Sequence, residues 1–406
     1  MTPASDAQPR RVYLDNAATS WPKPPAVLDA AEKFMRECGA TAGRGAYRSA
    51  LLAERWLIDA RHQLAQLLGA ADGHSIALCS SGTHALNSAL WGLLRAGDHV
   101  ITTETEHNSL LRPLNQMETH HGIRVSVVPS DASGMLNLDV AAEMVCDETR
   151  WIAVGQASNV TGRILPLEPW RDLAQRAGAH LLVDASQTLG YIPIDVQASG
   201  IDVLAAAGHK GLRGLPGTGL LMVAKPLQQQ LRPMMFGGTG SASEQLQGGQ
   251  AWPQSVEVGN LNLPAIVSMA VAAAQLNASQ DSSVAEAAGG QYASWRAPFE
   301  QLVAGLRSLA GVRLMGWPER VDTSDLSVGR IPVVSLQVAG WDVHDLANVL
   351  DSSFGIEARA GWHCAALVHD ALGTAASGGT LRLSPGVSTT SEEIEWTLAA
   401  FEEILG

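Results

Sequence analysis

Lysine is rarely found where an apolar strand gives way to glycines, yet the stretch "AAAGHKGLRGLPGTG" (205–219) places Lys210 there, directly after Gly208 and His209. Desolvation lowers a lysine's pKa, and the neutral amine is then a nucleophile able to attack a carbonyl carbon; the alternative is a solvated loop. The stretch "LLVDASQ" (181–187) ends an apolar run in Asp184 and carries Gln187 three residues later. A carboxylate at that point needs a partner, either the following loop or a protonated ring nitrogen of a heterocycle. In "SSGTHALNSALWGLL" (80–94), Ser81, Gly82 and Thr83 lie where a strand would turn into a helix. Free backbone N–H groups and hydroxyls there suit an anion, although Ser81 and Thr83 serve equally as plain helix caps. The stretch contains neither GxGxxG nor GxxxxGK[ST], so a lone phosphate monoester fits better than a dinucleotide or a triphosphate. Finally, "RAGWHCA" (359–365) sets Cys364 beside His363, with Arg359 five residues earlier. Positive charge favours the thiolate, whereas an unassisted free cysteine is usually a small packed hydrophobe. His363, Cys364 and His369 lack a second ligand pair at metal spacing, so no metal is expected.

Such dispersed residues must be gathered by the fold. Short apolar runs recur at 76–79, 99–103, 123–128, 151–155, 180–184, 201–206 and 219–224, with amphipathic stretches between them long enough for helical crossovers. Runs this short and apolar suit strands buried on both faces, which predicts an α/β protein with a mostly parallel sheet and helices on both sides. Ligands bind such sheets beyond the carboxyl ends of the strands. Ser81 and Thr83, His107, Asn159, Asp184, and His209 with Lys210 all follow predicted strand ends. Segments 240–264 and 279–292, rich in Gly, Ser, Gln and Ala, read as loops or a hinge. A second, smaller unit follows: a helix at 295–309, strands near "VRLMGW" and "IPVVSLQV", a helix near 343–353, a strand at "IEARAG" and a C-terminal helix from Ser391. That last helix has a plausible N-cap and two acidic residues in its first turn.

The totals bound the function class. With 406 residues, 46% hydrophobic and 17% charged, the chain has material for a large domain and a smaller one. Its 27 basic against 40 acidic residues, net charge -13, argue against nucleic acid as a partner. No run approaches the apolar length of a spanning helix, and "MTPASDAQPRR" lacks the apolar core of a signal peptide, so no membrane partner is expected. Cys38, Cys79, Cys146 and Cys364 show no CxxC spacing, which suits a reducing cytoplasm; the first three are expected only to pack.

Taken together, a phosphate turn, an Asp and a Lys in chain order on one sheet are what pyridoxal 5'-phosphate requires. The chain in fact resembles the class V aminotransferases of the fold type I pyridoxal-phosphate enzymes, and among them the cysteine desulfurases. The resemblance runs through "YLDNAATSWPKP", "GRGAYRSA", "SSGTHALN", "EHNS", "SNVTGRILP", "VDASQ", "AGHKGLRGLPGTG", "RAGWHCA" and "GGTLRLSPGVSTTSEEIE". It implies a seven-stranded sheet with a smaller α+β C-terminal domain, divided as an N-terminal segment 1–30 packing with the small domain, a large domain 31–280, and a small domain 281–406 carrying the Cys364 loop.

Residue by residue, the resemblance makes Lys210 the covalent attachment point of the cofactor and Asp184 the partner of its pyridine nitrogen, with His107 stacked on the ring. Asn159 and Gln187 would bond near the phenolic oxygen, Thr83 and His209 would hold the phosphate, and Arg382, aided by Arg359, would grip the substrate carboxylate. Cys364 would accept sulfur from L-cysteine, leaving L-alanine and a persulfide to be passed to an acceptor protein or small thiol. Selenocysteine lysis, another C–S cleavage, transamination and a non-catalytic scaffold remain open. Two departures stand out: Ala207 replaces a common phosphate-binding serine, and "EVGNLN" (257–262) replaces a motif that lends a threonine to the neighbouring subunit's phosphate. In the homodimer that this implies, Asn260 could donate in the threonine's place, and Ser81 or backbone groups could supplement the phosphate site.

Overall fold

A computed structural model describes residues 11–43, 45–238, 251–280, 294–318 and 329–406. In chain order its strands are β1 (Val12–Tyr13), β2 (Ile76–Cys79), β3 (His99–Thr103), β4 (Arg124–Val128), β5 (Thr149–Gly155), β6 (His180–Asp184), β7 (Val203–Ala207), β8 (Gly219–Val223), β9 (Val312–Met315), β10 (Val334–Val338), β11 (Ile356–Glu357), β12 (Arg359–Gly361) and β13 (Thr380–Leu383). The helices are α1 (Pro25–Glu37), α2 (Arg48–Leu67), α3 (Gly82–Leu93), α4 (Asn108–His121), α5 (Leu138–Glu143), α6 (Leu167–Ala177), α7 (Lys225–Gln228), α8 (Leu263–Gln280), α9 (Arg296–Ser308), α10 (Val343–Phe354), α11 (Val368–Ala371) and α12 (Ser391–Leu405).

Seven strands form the large sheet in the order β2-β8-β7-β6-β5-β3-β4, and only β8 runs against the others. This is the mostly parallel sheet that the apolar runs predict. Side chains alternate across it: Ile76 and Leu78 join a core under α1, α2, α6 and α8, while Ala77 and Cys79 join a second core under α3 and α4. One strand departs from the expectation. The run 123–128 reads as buried on both faces, but β4 is the sheet edge, where Arg124 and Val127 are exposed.

Four antiparallel strands, ordered β12-β13-β10-β9, make a second sheet that shares a core with α9, α10 and α12. Val12 and Leu14 belong to this core, and β1 pairs in parallel with β11. The single strand expected at "IEARAG" is split at Ala358, because Ile356 and Glu357 pair with β1 whereas Arg359 to Gly361 pair with β13. The helix from Ser391 starts as expected, with Thr390 and Glu393 closing a reciprocal capping box.

Of the segments read as loops, 240–250 and 281–292 fall outside the described residues, and 251–262 is irregular. Residues 263–264 and 279–280 are helical instead. Asn262 Oδ1 accepts from Ala265 N, and Pro264 sits in the first turn, where its missing N–H costs nothing.

The turn that carries Lys210 is seated by glycine. Gly190 has φ +95°, and a Cβ there would lie 2.1 Å from the carbonyl oxygen of Gly211. Gly190→Ala should therefore lower the thermal midpoint by several degrees, the strained backbone and collision costing more than ~1 kcal/mol. An unchanged midpoint in a thermal scan would contradict this packing.

Candidate active site

The carboxyl ends of β2, β3, β5, β6 and β7 meet at one edge of the large sheet, and a cavity of about 220 Å³ opens there. Ser81, Gly82, Thr83, His107, Asn159, Asp184, Gln187, His209, Lys210, Arg359 and Arg382 all line it. Residues scattered over 300 positions thus converge, which is what strand order and helical crossovers accomplish. Asn260 is elsewhere in this chain, in a cleft with Arg61 and Glu257, and Cys364 is exposed beside the cavity rim. Its Sγ lies 3.4 Å from Nη2 of Arg359, which puts a permanent positive charge against the sulfur.

Lys210 is enclosed, and burial pushes its ammonium down to about 8 against the pull of Asp184 in the other direction. Its turn is held from the N-terminal segment: the His209 carbonyl accepts from Ser20 N at 3.0 Å and from Lys23 Nζ at 2.8 Å. Asp184 Oδ1 accepts from Ser186 N at 2.9 Å, a bond within its own turn, and the carboxylate also faces the cavity.

His107 and His209 are both pushed down to about 4, mainly by burial and secondarily by Lys210, so both rings are neutral near pH 7. His107 also caps α4, its Nδ1 accepting from Ser109 N at 3.0 Å. The proton of the neutral ring is therefore on Nε2, which makes His107 a donor at that atom.

The anion end of the cavity is the N-terminus of α3. Ser81 Oγ caps the helix by accepting from His84 N at 3.0 Å, so it acts first as a cap and has only its own hydroxyl proton left to offer a ligand. Gly82 packs tightly enough that a Cβ would lie 2.8 Å from Ser186 Oγ. Thr83 Oγ1 and Ser109 Oγ are 2.7 Å apart, and both residues line the cavity, as do Ser186 and Ala207. The hydroxyl absent at Ala207 has neighbours of the same chemistry in Ser109 and Ser186. Sequence reasoning missed both, since a serine in a turn carries no distinctive pattern.

At the opposite end Arg382, 1% exposed, donates from Nη2 to Asp15 Oδ1 at 2.7 Å and from Nη1 to the Asn159 carbonyl at 3.1 Å. Its Nε has no protein partner. Arg359 and Arg382 are paired across β12 and β13, so two guanidinium groups share one face and favour an anion between them. Asn159 and Gln187 each donate to a backbone carbonyl, of His363 at 2.5 Å and of Ala17 at 3.1 Å. Their amide oxygens are buried without partners, as is His209 Nδ1. Buried polar atoms in that condition favour a ligand that pairs with them.

Two further residues escaped the sequence reading. Glu106 is buried in the cavity wall, accepting from Thr103 Oγ1 at 2.6 Å and Gly155 N at 2.7 Å, and burial pushes its carboxyl up to about 8. A Cβ on Gly155 would lie 2.8 Å from Glu106 Oε2, so a glycine after an apolar strand was the available signal. His363, considered only as a metal ligand, lines the cavity with its Nε2 donating to the Thr380 carbonyl at 3.0 Å and its Nδ1 unpartnered. Among the described residues no cluster suited to a metal ion occurs.

Known proteins are similar to this chain over nearly its whole length. A protein of Methanothermobacter thermautotrophicus described as a probable cysteine desulfurase is 31% identical over 399 residues, spanning 97% of this chain and 95% of that protein. The cysteine desulfurase of Shigella flexneri is 28% identical over 404 residues, spanning 97% and 93%. Among solved structures, the apo cysteine desulfurase of Thermococcus onnurineus superposes with a TM-score of 0.85 at 27% identity, covering 97% of this chain and 94% of that one. The cysteine desulfurase CsdA of Escherichia coli, in its S-sulfonic acid form, gives 0.81 at 27% identity, covering 98% and 96%. The family model Aminotransferase class-V matches residues 12–396, and with so nearly complete a match this chain belongs to the class V aminotransferase family.

Proposed function

We propose that this chain is a pyridoxal-phosphate-dependent cysteine desulfurase that takes sulfur from L-cysteine, releases L-alanine and carries the sulfur as a persulfide on Cys364. One observation carries the reading: Arg359 lines the cavity of Lys210 and lies 3.4 Å from the sulfur of Cys364, so the enclosed amine and the exposed thiol serve one site.

The residues fit the cofactor. Lys210 would hold it covalently, Asp184 would face its ring nitrogen, and His107 would stack on the ring. The N-terminus of α3 with Gly82, Thr83 and His209 would take the phosphate, and Asn159 and Gln187, each with a second amide N–H beyond the one given to a backbone carbonyl, would bond near the phenolic oxygen. When bound, pyridoxal phosphate supplies an electron-withdrawing ring that stabilises negative charge at the substrate Cα.

The protein's own groups do the rest. Arg382 and Arg359 bind the substrate carboxylate, and Lys210, its amine freed when the substrate amine takes its place, takes the Cα proton. The Cys364 thiolate attacks the substrate sulfur, an S–S bond forms as the C–S bond breaks, and the substrate Cβ ends with a proton in place of sulfur. His107, holding a proton on Nε2, hydrogen-bonds the substrate thiol. A sulfur-acceptor protein or small thiol then removes the outer sulfur.

The same reading assigns 31–280 to the cofactor-binding unit, 281–406 to the unit carrying the Cys364 loop and 1–30 to a segment packing with the latter; Val12 and Leu14 do pack in its core, whereas Val27 on α1 packs under the large sheet. It also implies a homodimer, in which Asn260 reaches the neighbouring phosphate site. The free cysteines suit a cytoplasmic setting, and no helix among the described residues is long and apolar enough to cross a membrane.

Cys364→Ala should keep the cofactor's absorbance yet form no persulfide from L-cysteine; unchanged sulfide release under reductant would remove Cys364 from its role. Lys210→Ala should abolish alanine production, and retained turnover would overturn its assignment. Because burial brings Lys210 from 10.5 to about 8, cofactor-free protein should incorporate pyridoxal phosphate ~10-fold faster per pH unit up to about pH 8 and level off above it. A rate still climbing toward pH 10 in stopped-flow absorbance would show that the amine is not desolvated.

A further inference from the structure

The segment Gly361 to Ala366 is short and strained. His363 and Cys364 have φ of 49° and 60°, consecutive left-handed residues that are not glycine. Such a conformation persists only where surrounding contacts over-determine it. Three hydrogen bonds from the large sheet's loops reach this segment. Asn159 Nδ2 donates to the His363 carbonyl, Asn108 N donates to the Cys364 carbonyl at 2.7 Å, and Asn108 Oδ1 accepts from Ala366 N at 3.3 Å.

Two of the three belong to Asn108. It is the first residue of α4, and its N–H is one of the donors that a helix start leaves without an intrahelical acceptor. The next N–H, of Ser109, is already engaged by His107 Nδ1. The helix capped by His107 therefore spends its first amide on the cysteine's own carbonyl.

We propose that Asn108 is a positioning residue for Cys364: through its N–H and its side chain together it latches the cysteine loop to the start of α4, keeping the sulfur beside Arg359 at the cavity rim. Asn108 touches no reacting atom and acts through the loop it holds. This rests on the reading of Cys364 as the sulfur acceptor.

Residue chemistry provides a graded test on the cofactor-loaded enzyme. Asn108→Asp keeps both the N–H and an accepting oxygen, and Asn108→Ala keeps only the N–H. Asn108→Pro keeps neither, yet proline is well accepted at a first helical position, and His107, with φ -71° and ψ 149°, has the extended backbone that precedes proline. Hydrogen exchange of residues 361–366 should quicken roughly 5-fold in Asn108→Ala and roughly 10-fold or more in Asn108→Pro, in line with one or two lost hydrogen bonds, while Asn108→Asp matches the parent. For alanine release from L-cysteine, kcat should fall in the same order with KM within about twofold, since the latch serves sulfur transfer and not substrate binding.

A folded Asn108→Pro with unchanged exchange and unchanged kcat would overturn the proposal, as would a change confined to KM. Should that variant not fold, exchange at the Ala366 amide in Asn108→Ala decides. If the parent enzyme forms no persulfide on Cys364, the functional reading fails on its own, and the exchange series still reports whether Asn108 holds the loop.

Discussion

A guanidinium removed from water must be given partners, and Arg382 is the place where this chain meets that demand. Burial pushes its pKa down while Asp15 pulls the other way, and its two terminal nitrogens reach Asp15 and the Asn159 carbonyl. Those bonds join three distant stretches: the entry segment beside β1, the loop after β5, and strand β13 of the smaller sheet. Removing Asp15 would leave that buried charge unpaired, a loss of several kcal/mol. Around it the smaller sheet is joined again to the other two stretches by Ser335 Oγ donating to the Val160 carbonyl and Ser384 N donating to the Leu14 carbonyl, so the cavity's shape is built about this buried charge.

Within that cavity the electrostatics are consistent. Positive charge is concentrated in Lys210, Arg359 and Arg382, and Asp184 answers only part of it. Burial and this shared positive field keep His107, His209 and His363 neutral, so the imidazoles act as hydrogen-bonding surfaces and not as further cations. An anionic phosphate at the α3 end and an anionic carboxylate at the arginine end are the ligands such a field favours.

The thiol is handled differently from the amine. Lys210 is enclosed and its turn is seated by glycines and by the N-terminal segment, while Cys364 is exposed on a short left-handed turn. Gly379 makes room for that turn, since a Cβ there would lie 2.3 Å from the Gly361 carbonyl oxygen. An enclosed group suits chemistry that excludes water; an exposed one suits handing sulfur to another molecule. Arg359 lines the cavity of the first and touches the sulfur of the second.

Much of this was legible in the sequence, because apolar runs of strand length and the residues following them depend on local chemistry alone. The seven runs became the seven strands of the sheet, and Ser81, Thr83, His107, Asn159, Asp184, His209 and Lys210 followed their ends as expected. What local pattern could not carry was anything set by partners far along the chain. That β4 is an edge, that "IEARAG" divides between two sheets, and that Glu106 is buried against Gly155 each depend on a neighbour supplied by the fold. The role of Asn108 beneath Cys364 is of the same kind. Residue types by themselves determined which chemistry was possible; only the tertiary structure decided which atoms were already spent, since a hydrogen bond across hundreds of residues leaves no periodicity to read.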